Sequence, residues 1–455
     1  DVYVPRPAHR DSSRDGSRAY VVTIDAAIAA LSGSPAPIPL KGAVQHYEWG
    51  GYDYIPRLIG VENRERRPFA ELWIGAHPKA PCTAEIDGTR LSLADLVARA
   101  PEQVLGRATA ERFGGELPFL FKVLDARSPL SIQAHPSKRQ AREGFARENA
   151  AGISLDAPQR NYRDANHKPE IHVALGDFFM LHGFRPLEEI EELLAAAPEL
   201  GAVMPDFGER LASAGWDPEA RRSVLRELYA RIMSMPQQRV DAVLDPLVAR
   251  LERRGSFDRD LPDYWVLTAS RAFPLPGGHR DRGIFSIYLL NLVRLRAGEG
   301  TFQPSGTLHA YLEGVNVELM ANSDNVMRGG LTPKHVDARE LLATLSFDTG
   351  RPEILEGRAQ SSTERVYEAP VEEFRLSRVE VGPGRAHSGA AQGPEALIVM
   401  EGAARVRWPK GVRELPRGAI ILVPAGFAYS VETAEPSGSA ALFKASVPPE
   451  GAARA

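Results

Sequence analysis

Hydrophobic and polar positions change their spacing along the chain, and the changes mark regions of different secondary structure. Short apolar runs bounded by breaking residues, as at residues 117–124 and 178–182, predict buried strands across most of residues 38–182. Residues 187–254 instead repeat apolar side chains at helical spacing, and strand character returns at residue 287. From about residue 365 onward the pattern is of strands and turns. The chain is therefore predicted to be mainly β with a helical insert.

One spacing of glycine, proline and a ring-bearing residue occurs twice. It reads G-x5-P-x-G-x2-(H/Y), first from Gly298 to His309 and again from Gly418 to Tyr429. In this motif Pro and Gly shape a turn that delivers the last residue to the next strand. The spacing resembles the second sequence motif of cupin β-barrels. The resemblance implies at least two jelly-roll barrels, one with a histidine and one with a tyrosine at this position.

The patterns predict a division of the chain into segments. We expect a poorly ordered N-terminal extension at residues 1–35, a catalytic cupin domain made of residues 36–185 with 281–350, a helical insert domain at residues 186–280, and a C-terminal cupin-like barrel without a metal at residues 351–455. Within the extension, the apolar stretch from Tyr20 to Leu31 is interrupted by Asp25. This interruption favours a short packed helix over a secretory signal peptide.

The composition argues against some classes of binding partner and favours one cellular compartment. The chain has 455 residues, of which 43% are hydrophobic and 25% charged, with a formal net charge of −4, as is ordinary for a globular protein of more than one domain. No overall positive charge favours nucleic acid or an anionic membrane, and no apolar run is long enough to span a bilayer. Cys82 is the sole cysteine, so an internal disulfide is impossible and a cytoplasmic location is expected.

Candidate metal ligands lie in three separate stretches. Gln133 and His135 are two residues apart in a strand-like run, so their side chains are expected on one face. Glu170 and His309 provide a carboxylate and an imidazole from later segments. Together the four side chains form an N/O ligand set that suits Zn²⁺ and leaves a coordination position open. His172 is a rival ligand, and each of these residues is alternatively an ordinary hydrogen-bonded polar side chain.

A charged and glycine-rich segment follows the last of these ligands. Arg328 is either a clamp for an oxyanion or a salt-bridge partner of Asp324. The pair Gly329-Gly330 suits either a close backbone approach to a ligand or a turn. Thr332 has the residue type of an N-cap, and a helix is expected from there to residue 345.

Two more charged side chains lie on predicted strands. Glu318 alternates with Asn316 and Met320, so it is either a general base on a wet inner face or an exposed strand residue. Lys168 shares a face with Glu170 by alternation and would reach a substrate placed beside the metal.

Ordered blocks between about Lys41 and Lys334 resemble the type I mannose-6-phosphate isomerases, which are zinc-dependent cupin enzymes. The blocks are Tyr47–Gly50, Ala70–Pro78, Leu117–Leu124, Ser131–Lys138, Asn166–Glu170, Gly183–Pro186, His309–Tyr311 and Met320–Lys334. The resemblance implies interconversion of mannose 6-phosphate and fructose 6-phosphate through a cis-enediol, with one Zn²⁺ per chain. It implies a small hexose phosphate as the partner, and we expect a monomer.

The resemblance also carries roles onto individual positions of this sequence. It implies zinc ligands at Gln133, His135, Glu170 and His309, a catalytic arginine at Arg328, active-site groups at Lys168 and Glu318, ring-opening groups at Asp324 and His167, and phosphate or sugar contacts at Ser131, Lys122 and Lys138. The chain departs from the family pattern at Ser137, at His182 and in the run from Asn316 to Glu318, and none of these departures removes a ligand.

Two other classes of function stay open at the level of sequence. One is a cupin oxidoreductase that uses Fe²⁺ and O₂, against which the Gln ligand argues because such sites favour a His-rich set. The other is a sugar-binding cupin without catalytic activity. The presence of Arg328, Lys168 and Glu318 beside a complete ligand set argues against it.

Overall fold

A computed structural model of the chain describes residues 14–451. The strands, in chain order, are β1 (Ile38–Lys41), β2 (Ala43–Gln45), β3 (Glu71–Ile74), β4 (Thr83–Ile86), β5 (Thr89–Ser92), β6 (Phe119–Ala126), β7 (Ile132–Ala134), β8 (Glu170–Ala174), β9 (Phe178–Phe184), β10 (Leu290–Leu295), β11 (Gly300–Gln303), β12 (His309–Ala321), β13 (Met327–Gly330), β14 (Arg358–Ala359), β15 (Glu364–Tyr367), β16 (Arg375–Val381), β17 (His387–Ala390), β18 (Glu395–Glu401), β19 (Ala404–Trp408), β20 (Gly411–Leu415), β21 (Ile420–Val423), β22 (Ala428–Thr433) and β23 (Ala440–Ser446). The helices are α1 (Arg14–Gly33), α2 (Tyr54–Leu58), α3 (Leu93–Arg99), α4 (Pro101–Leu105), α5 (Arg107–Arg112), α6 (Lys138–Ala150), α7 (Leu187–Ala196), α8 (Pro198–Gly201), α9 (Phe207–Ala214), α10 (Pro218–Ser234), α11 (Gln237–Arg254), α12 (Pro262–Ala272), α13 (Gly283–Leu289) and α14 (Ala338–Thr344), with a 3₁₀ turn at Pro276–Gly278.

These elements form two compact units. The central unit comprises residues 44–73, 118–379 and 450–451, and the flanking unit comprises residues 14–43, 74–117 and 380–449. The prediction of a mainly β protein with helical parts is confirmed.

The long strand β12 organises the central unit. Its first residues pair with β7 and β9, and its last residues pair with β6 and β8. The change of partners falls at Gly314, which has φ +128°, and a Cβ there would lie 2.7 Å from the carbonyl oxygen of Asp177. Glycine is required because the backbone is both left-handed and in close contact at this point. The two halves of this one strand therefore pair with two different sets of strands in the same sheet.

The helical insert starts and ends on neighbouring strands. β9 and β10 are antiparallel, with Phe184 opposite Leu290, and helices α7 to α13 lie between them in sequence. The expected insert of residues 186–280 therefore extends to residue 289. The strand expected from residue 287 begins only at Leu290. Every residue of α13 is buried, and an apolar run that is buried on all sides cannot be assigned to helix or strand by its periodicity.

The flanking unit joins segments that are far apart in sequence. Its larger sheet runs β23-β18-β21-β1-β4-β5, and Ile38 in β1 lies opposite Leu422 in β21. Its second sheet runs β17-β22-β19-β20. The expected scheme placed all of residues 36–117 in the catalytic domain, whereas β1, β4 and β5 belong to the flanking unit, where β1 pairs with β21 from the C-terminal part of the chain. Pairing over such a separation leaves no local trace in the sequence.

The N-terminal region contains the packed helix that the interrupted apolar stretch favoured. Residues 1–13 of that extension lie outside the described residues, and α1 begins at Arg14 and extends to Gly33. Ile24, Ala27 and Leu31 lie at helical spacing and are buried, as expected for a packed amphipathic helix. Between residues 14 and 451, no helix combines the length and apolarity needed to cross a membrane.

The helix expected from Thr332 begins later, at Ala338. Asp281 accepts hydrogen bonds from the backbone nitrogens of Leu331 and Thr332, and Leu331 has φ +52°. The helix is instead capped by Asp337, whose side chain accepts from the nitrogen of Glu340. A buried carboxylate from a distant segment thus holds this stretch in a turn, which overrides the local capping signal.

Candidate metal centre and active site

Strand alternation in the central unit separates a polar face from an apolar one. Leu308, which immediately precedes β12, and Ala310 and Leu312 within it belong to the hydrophobic core that includes the helical insert. Because successive side chains of a strand point to opposite faces, His309 and Tyr311 point away from those helices. Ile132 and Ala134 of β7 belong to the same core, which directs the side chain between them, Gln133, to the polar face.

Three side chains meet on this face. The ligand atoms of His135, Glu170 and His309 lie within 4.8 Å of one another, and all three residues are buried. His135 Nε2 is 3.4 Å from one carboxylate oxygen of Glu170, and His309 Nε2 is 3.2 Å from the other. Residues from three distant stretches therefore converge on one point, as the sequence predicted.

Backbone carbonyls orient both imidazoles and select their tautomer. His135 Nδ1 lies 2.8 Å from the carbonyl oxygen of Asn325, and His309 Nδ1 lies 3.0 Å from that of Thr307. A carbonyl can only accept, so each Nδ1 must donate its proton and each Nε2 keeps a free lone pair. The backbone nitrogen of Gly306, in the motif turn, donates to the carbonyl oxygen of His135 and ties the two ligand segments together.

The donor atoms that face each other fit a metal ion. His135 Nε2, His309 Nε2 and Glu170 Oε2 are buried and have no hydrogen-bond partner among residues 14–451. Burial lowers the pKa of His135 to about 4, although the neighbouring charge of Glu170 opposes the shift, so its imidazole is neutral. Burial would raise the pKa of Glu170, but the charge of Lys168 and the contacts with His135 and His309 hold it well below its usual value. Two imidazoles and one carboxylate are a ligand set that Zn²⁺ prefers.

Gln133 lies in the same row of side chains. Its Cα is opposite that of His309 on β12 and opposite that of Arg328 on β13. Directly opposed residues of antiparallel strands share a face, so Gln133 lies between an imidazole and a guanidinium. Its role as a fourth ligand stays a prediction.

His172, the rival ligand, lies in a different row. It is opposite Glu318 of β12 rather than beside His135 and His309, and its Nδ1 is 2.8 Å from the side-chain nitrogen of Gln303. When that amide donates, Nδ1 accepts, and the ring proton sits on Nε2. A protonated Nε2 has no lone pair for a metal.

Glu318 is buried, and its carboxylate accepts two hydrogen bonds. One of its carboxylate oxygens accepts from Lys122 Nζ at 2.8 Å and the other from the hydroxyl of Tyr311 at 2.7 Å. Burial would lower the pKa of Lys122, but the carboxylates of Glu318, Glu71 and Glu170 raise it well above its usual value. Since both oxygens of Glu318 are engaged, this geometry favours holding a charged Lys122 over abstracting a proton.

Lys168 lies against the ligand cluster. Its Nζ is 3.1 Å from one carboxylate oxygen of Glu170, and its side chain is buried. Lys168 therefore places an ammonium in direct contact with a candidate metal ligand. The sequence prediction that Lys168 would reach this region agrees with that contact.

Arg328 does not pair with Asp324. No carboxylate in the described part of the chain forms an ion pair with Arg328, and the backbone nitrogen of Asp324 donates to the side chain of Asp164 at 2.7 Å. Burial lowers the pKa of Arg328, and the positive charge of Arg163 lowers it further. Gly330, with φ +122°, would bring a Cβ to 2.5 Å from the Cα of Gly283, so the glycine serves a close backbone contact.

His167 and Lys138 meet at a carboxylate that the sequence did not reveal. His167 Nε2 is 2.7 Å and Lys138 Nζ 3.4 Å from the same oxygen of Glu373. Glu373 lies between β15 and β16, outside every block that resembles the family, and no local pattern distinguishes it from neighbouring Glu372. Ser131 is half-buried immediately before β7.

Two departures from the family pattern have local explanations. Ser137 is the N-cap of α6, and it forms a capping box with Gln140. His182 is opposite His309 in the β9–β12 pairing, and its Nε2 is 3.1 Å from the carbonyl oxygen of Phe302. Neither departure displaces a candidate ligand.

A buried His/Glu/His cluster on a sheet face, with an arginine on a neighbouring strand that has no ion-pair partner among residues 14–451, is typical of a metal-dependent enzyme for an anionic substrate. Comparison with known proteins names the family. The family model for the catalytic domain of type I phosphomannose isomerase matches residues 38–187. Mannose-6-phosphate isomerase of Salmonella typhimurium is 41% identical over 341 residues, covering 74% of this chain and 82% of the relative. That of Escherichia coli is 39% identical over 379 residues, covering 83% and 91%.

A solved structure extends the likeness to three dimensions. The crystal structure of a mannose 6-phosphate isomerase bound with zinc and yttrium has a TM-score of 0.77 and 36% sequence identity, covering 90% of this chain and 98% of that one. The chain belongs to the type I phosphomannose isomerase family.

Proposed function

We propose that the chain is a zinc-dependent aldose–ketose isomerase that interconverts mannose 6-phosphate and fructose 6-phosphate. Family membership and relatives named for this activity support the proposal. The observation that carries it is the buried cluster of His135, Glu170 and His309, whose facing Nε2 and Oε2 atoms have no hydrogen-bond partner among the described residues.

Zinc would be held by His135, Glu170 and His309, with Gln133 as the fourth ligand through its carbonyl oxygen. When bound, it supplies a Lewis acid that orients and polarises the sugar oxygens. The carbonyls behind the two imidazoles fix which nitrogen is available, so the chain presents its ligands with little reorganisation.

The isomerisation moves one proton between C2 and C1 through a cis-enediol. We assign the acid–base role to Lys168, which lies 3.1 Å from a carboxylate oxygen of Glu170 and therefore beside the position of the polarised sugar oxygens. Glu318 is the alternative base, but its two oxygens already bind Lys122 and Tyr311. In this assignment Glu318 positions Lys122, whose ammonium binds sugar or phosphate oxygens together with Ser131.

We assign to Arg328 the binding of negative charge on the substrate. Its guanidinium has no ion-pair partner in the described residues, and burial and the charge of Arg163 lower its pKa. Two cations that repel each other without a counter-ion are stabilised by an anion between them. Arg328 would therefore bind the phosphate or the developing enediolate, and this binding positions C1 and C2 for proton transfer.

The ring of the sugar must open before the proton moves. We assign this step to His167 and Asp324, with Lys138 as a substrate contact near His167. Opening requires a proton to leave the anomeric hydroxyl and a proton to reach the ring oxygen, and an imidazole can do either.

We also propose that the chain folds into two cupin-type jelly rolls and works as a monomer in the cytoplasm. The repeated motif before His309 and Tyr429 and the transfer of β12 between two sets of partner strands support the barrels. All the proposed site residues belong to the central unit of one chain, so a second copy is not needed to complete the site.

A coupled assay of fructose 6-phosphate formation tests the function. Activity on mannose 6-phosphate should vanish on chelation and return with Zn²⁺, and His309→Asn should lose both zinc and activity. The matched control is His46→Asn, because His46 is exposed and its hydrogen bond to the carbonyl of Pro68 and its ring contact with Phe69 involve no candidate ligand. Retention of zinc and full rate by the His309 variant would contradict the ligand assignment.

The same preparation distinguishes the other classes. Oxygen consumption on turnover would indicate an oxidoreductase. Binding of hexose phosphate without exchange of solvent deuterium at C1 or C2 would indicate a binding protein.

A further inference from the structure

Glu373 is a buried carboxylate that joins two side chains of the candidate site. The residue is 3% exposed, and its Oε1 lies 2.7 Å from His167 Nε2 and 3.4 Å from Lys138 Nζ. Its flanking residues Val371 and Phe374 are buried as well, so the segment between β15 and β16 is anchored on both sides of the carboxylate.

The carboxylate depends on these two partners. Its second oxygen is buried and has no hydrogen-bond partner among residues 14–451. Burial would raise the pKa of Glu373, but the hydrogen bond and charge of His167 and the charge of Lys138 lower it to about 2. An ionised carboxylate in this buried position costs free energy unless it is paired with positive charge. Its contact with the Nε2 of His167 is the contact of a carboxylate that orients an imidazole.

We infer that Glu373 is a positioning residue that holds His167 in the orientation required to open the sugar ring. The inference rests on the proposed function, since it needs His167 to act on the substrate. A carboxylate that accepts from Nε2–H leaves Nδ1 of His167 as the nitrogen that can accept a proton. It also prevents rotation of the ring about its χ angles, and a misplacement of about 1 Å in such a group can cost about 100-fold in rate.

The test replaces the carboxylate while keeping its volume. Glu373→Met offers no acceptor, and we expect kcat to fall about 10- to 100-fold with KM changed less than about twofold. Glu373→Gln keeps a carbonyl oxygen at the same reach and should restore most of kcat. The matched control is Glu372→Met, because Glu372 is the neighbouring exposed glutamate. Zinc content and thermal unfolding are measured for each variant.

A double-mutant cycle separates positioning from a structural role. In a His167→Gln background, Glu373→Met should cause no further loss of kcat, because the group that it orients is absent. The inference would be overturned by an equal loss of kcat on Glu373→Met in both backgrounds, or by a Glu373→Gln variant no more active than Glu373→Met. A full rate in Glu373→Met or in His167→Gln would also overturn it. Each of these results leaves the proposed isomerase intact. A wild-type protein that does not isomerise mannose 6-phosphate would overturn both. If the Met variant does not fold, the cycle is run with Glu373→Gln and Glu373→Asp, where the shorter Asp should be the less active.

Discussion

Asn325 connects two segments of the candidate site, and its replacement by Asp is our most specific prediction. The side chain is fully buried. Its oxygen accepts from the backbone nitrogens of Arg163 and Asp164, and its nitrogen donates to the carbonyls of Asp164 and Asn166 and to a carboxylate oxygen of Asp164 at 3.1 Å. Its own carbonyl orients His135. One amide thus fixes the loop that carries Arg163 and the backbone behind a ligand.

Asn325→Asp keeps the shape and both accepted hydrogen bonds, but it removes all the donated ones. The amide has two N–H groups, which share the three acceptors, so their loss at about 1 kcal/mol each gives about 2 kcal/mol, before repulsion between the new carboxylate and Asp164. We therefore expect a decrease of about 3 to 5 kcal/mol in the free energy of unfolding. Burial and the neighbouring charge raise the folded-state pKa of the new carboxyl, so the penalty is smallest near pH 4 and grows as the pH rises.

Urea unfolding at two pH values measures the stability, and competition with a chelating dye measures zinc affinity. We expect zinc binding to weaken about 10- to 100-fold, because the carbonyl that orients His135 would lose its fixed position. Asn63→Asp is the matched control, since Asn63 also donates two hydrogen bonds to loop carbonyls but contacts no candidate ligand. Unchanged stability and zinc affinity in the Asn325 variant would refute the reasoning.

Other substitutions test the packing of the site and of the fold. Lys122→Met should lower the free energy of unfolding by about 3 to 5 kcal/mol in urea titration, because it leaves Glu318 buried without its cation, and adding Glu318→Gln should recover part of the loss. Burial raises the pKa of Asp125 to about 6, so the folded protein should lose stability as the pH rises from about 4 to 6, and Asp125→Asn should flatten that slope in thermal melts. Gly330→Ala should lower the melting temperature, because a Cβ there meets the backbone of Gly283 and the φ of +122° is strained for alanine, whereas Gly384→Ala, with open space, should lower it less. An unchanged melting temperature for Gly330→Ala would contradict the close approach to Gly283. An unchanged pH slope for Asp125→Asn would contradict the raised pKa of Asp125, and full stability of Lys122→Met would contradict the buried ion pair with Glu318.

Gln133, His135 and His309 were accessible from sequence because each depends on local geometry, whereas nothing local selects Glu170. The two-residue spacing of Gln133 and His135 needs only a strand, and His309 follows a turn whose glycine, Gly306, has φ +81°. The convergence of His135, Glu170 and His309 is present in the structure. Its prediction required the family resemblance, because strand pairing between distant segments cannot be derived from spacing.

The features that the sequence did not predict depend on contacts between distant segments. Glu373 has no motif around it, and only the fold brings it to His167. Asp281 captures the backbone of Leu331 and Thr332 and delays the following helix. The pairing of β1 with β21 likewise joins the beginning of the chain to its end. Only at Thr332 was there a competing local signal, and a tertiary contact outweighed it.

The two copies of the cupin-like motif end in different chemistry. In the central unit the motif delivers His309, whose Nε2 faces Glu170 without a hydrogen-bond partner in residues 14–451. In the flanking unit it delivers Tyr429, whose hydroxyl donates to a carboxylate oxygen of Glu395. A buried carboxylate therefore faces the end of the motif in both units, and each must be balanced by positive charge.

Lys444 supplies that charge in the flanking unit. Its Nζ lies 3.8 Å from the other oxygen of Glu395, and both side chains are buried. In the central unit the corresponding carboxylate faces two imidazoles whose Nδ1 atoms bind backbone carbonyls, and positive charge would come from Lys168 and a bound cation. The change from His to Tyr thus accompanies a change from a metal-ready cluster to a protein ammonium. This is the physical reason why a metal is expected at only one of the two motifs within the described chain.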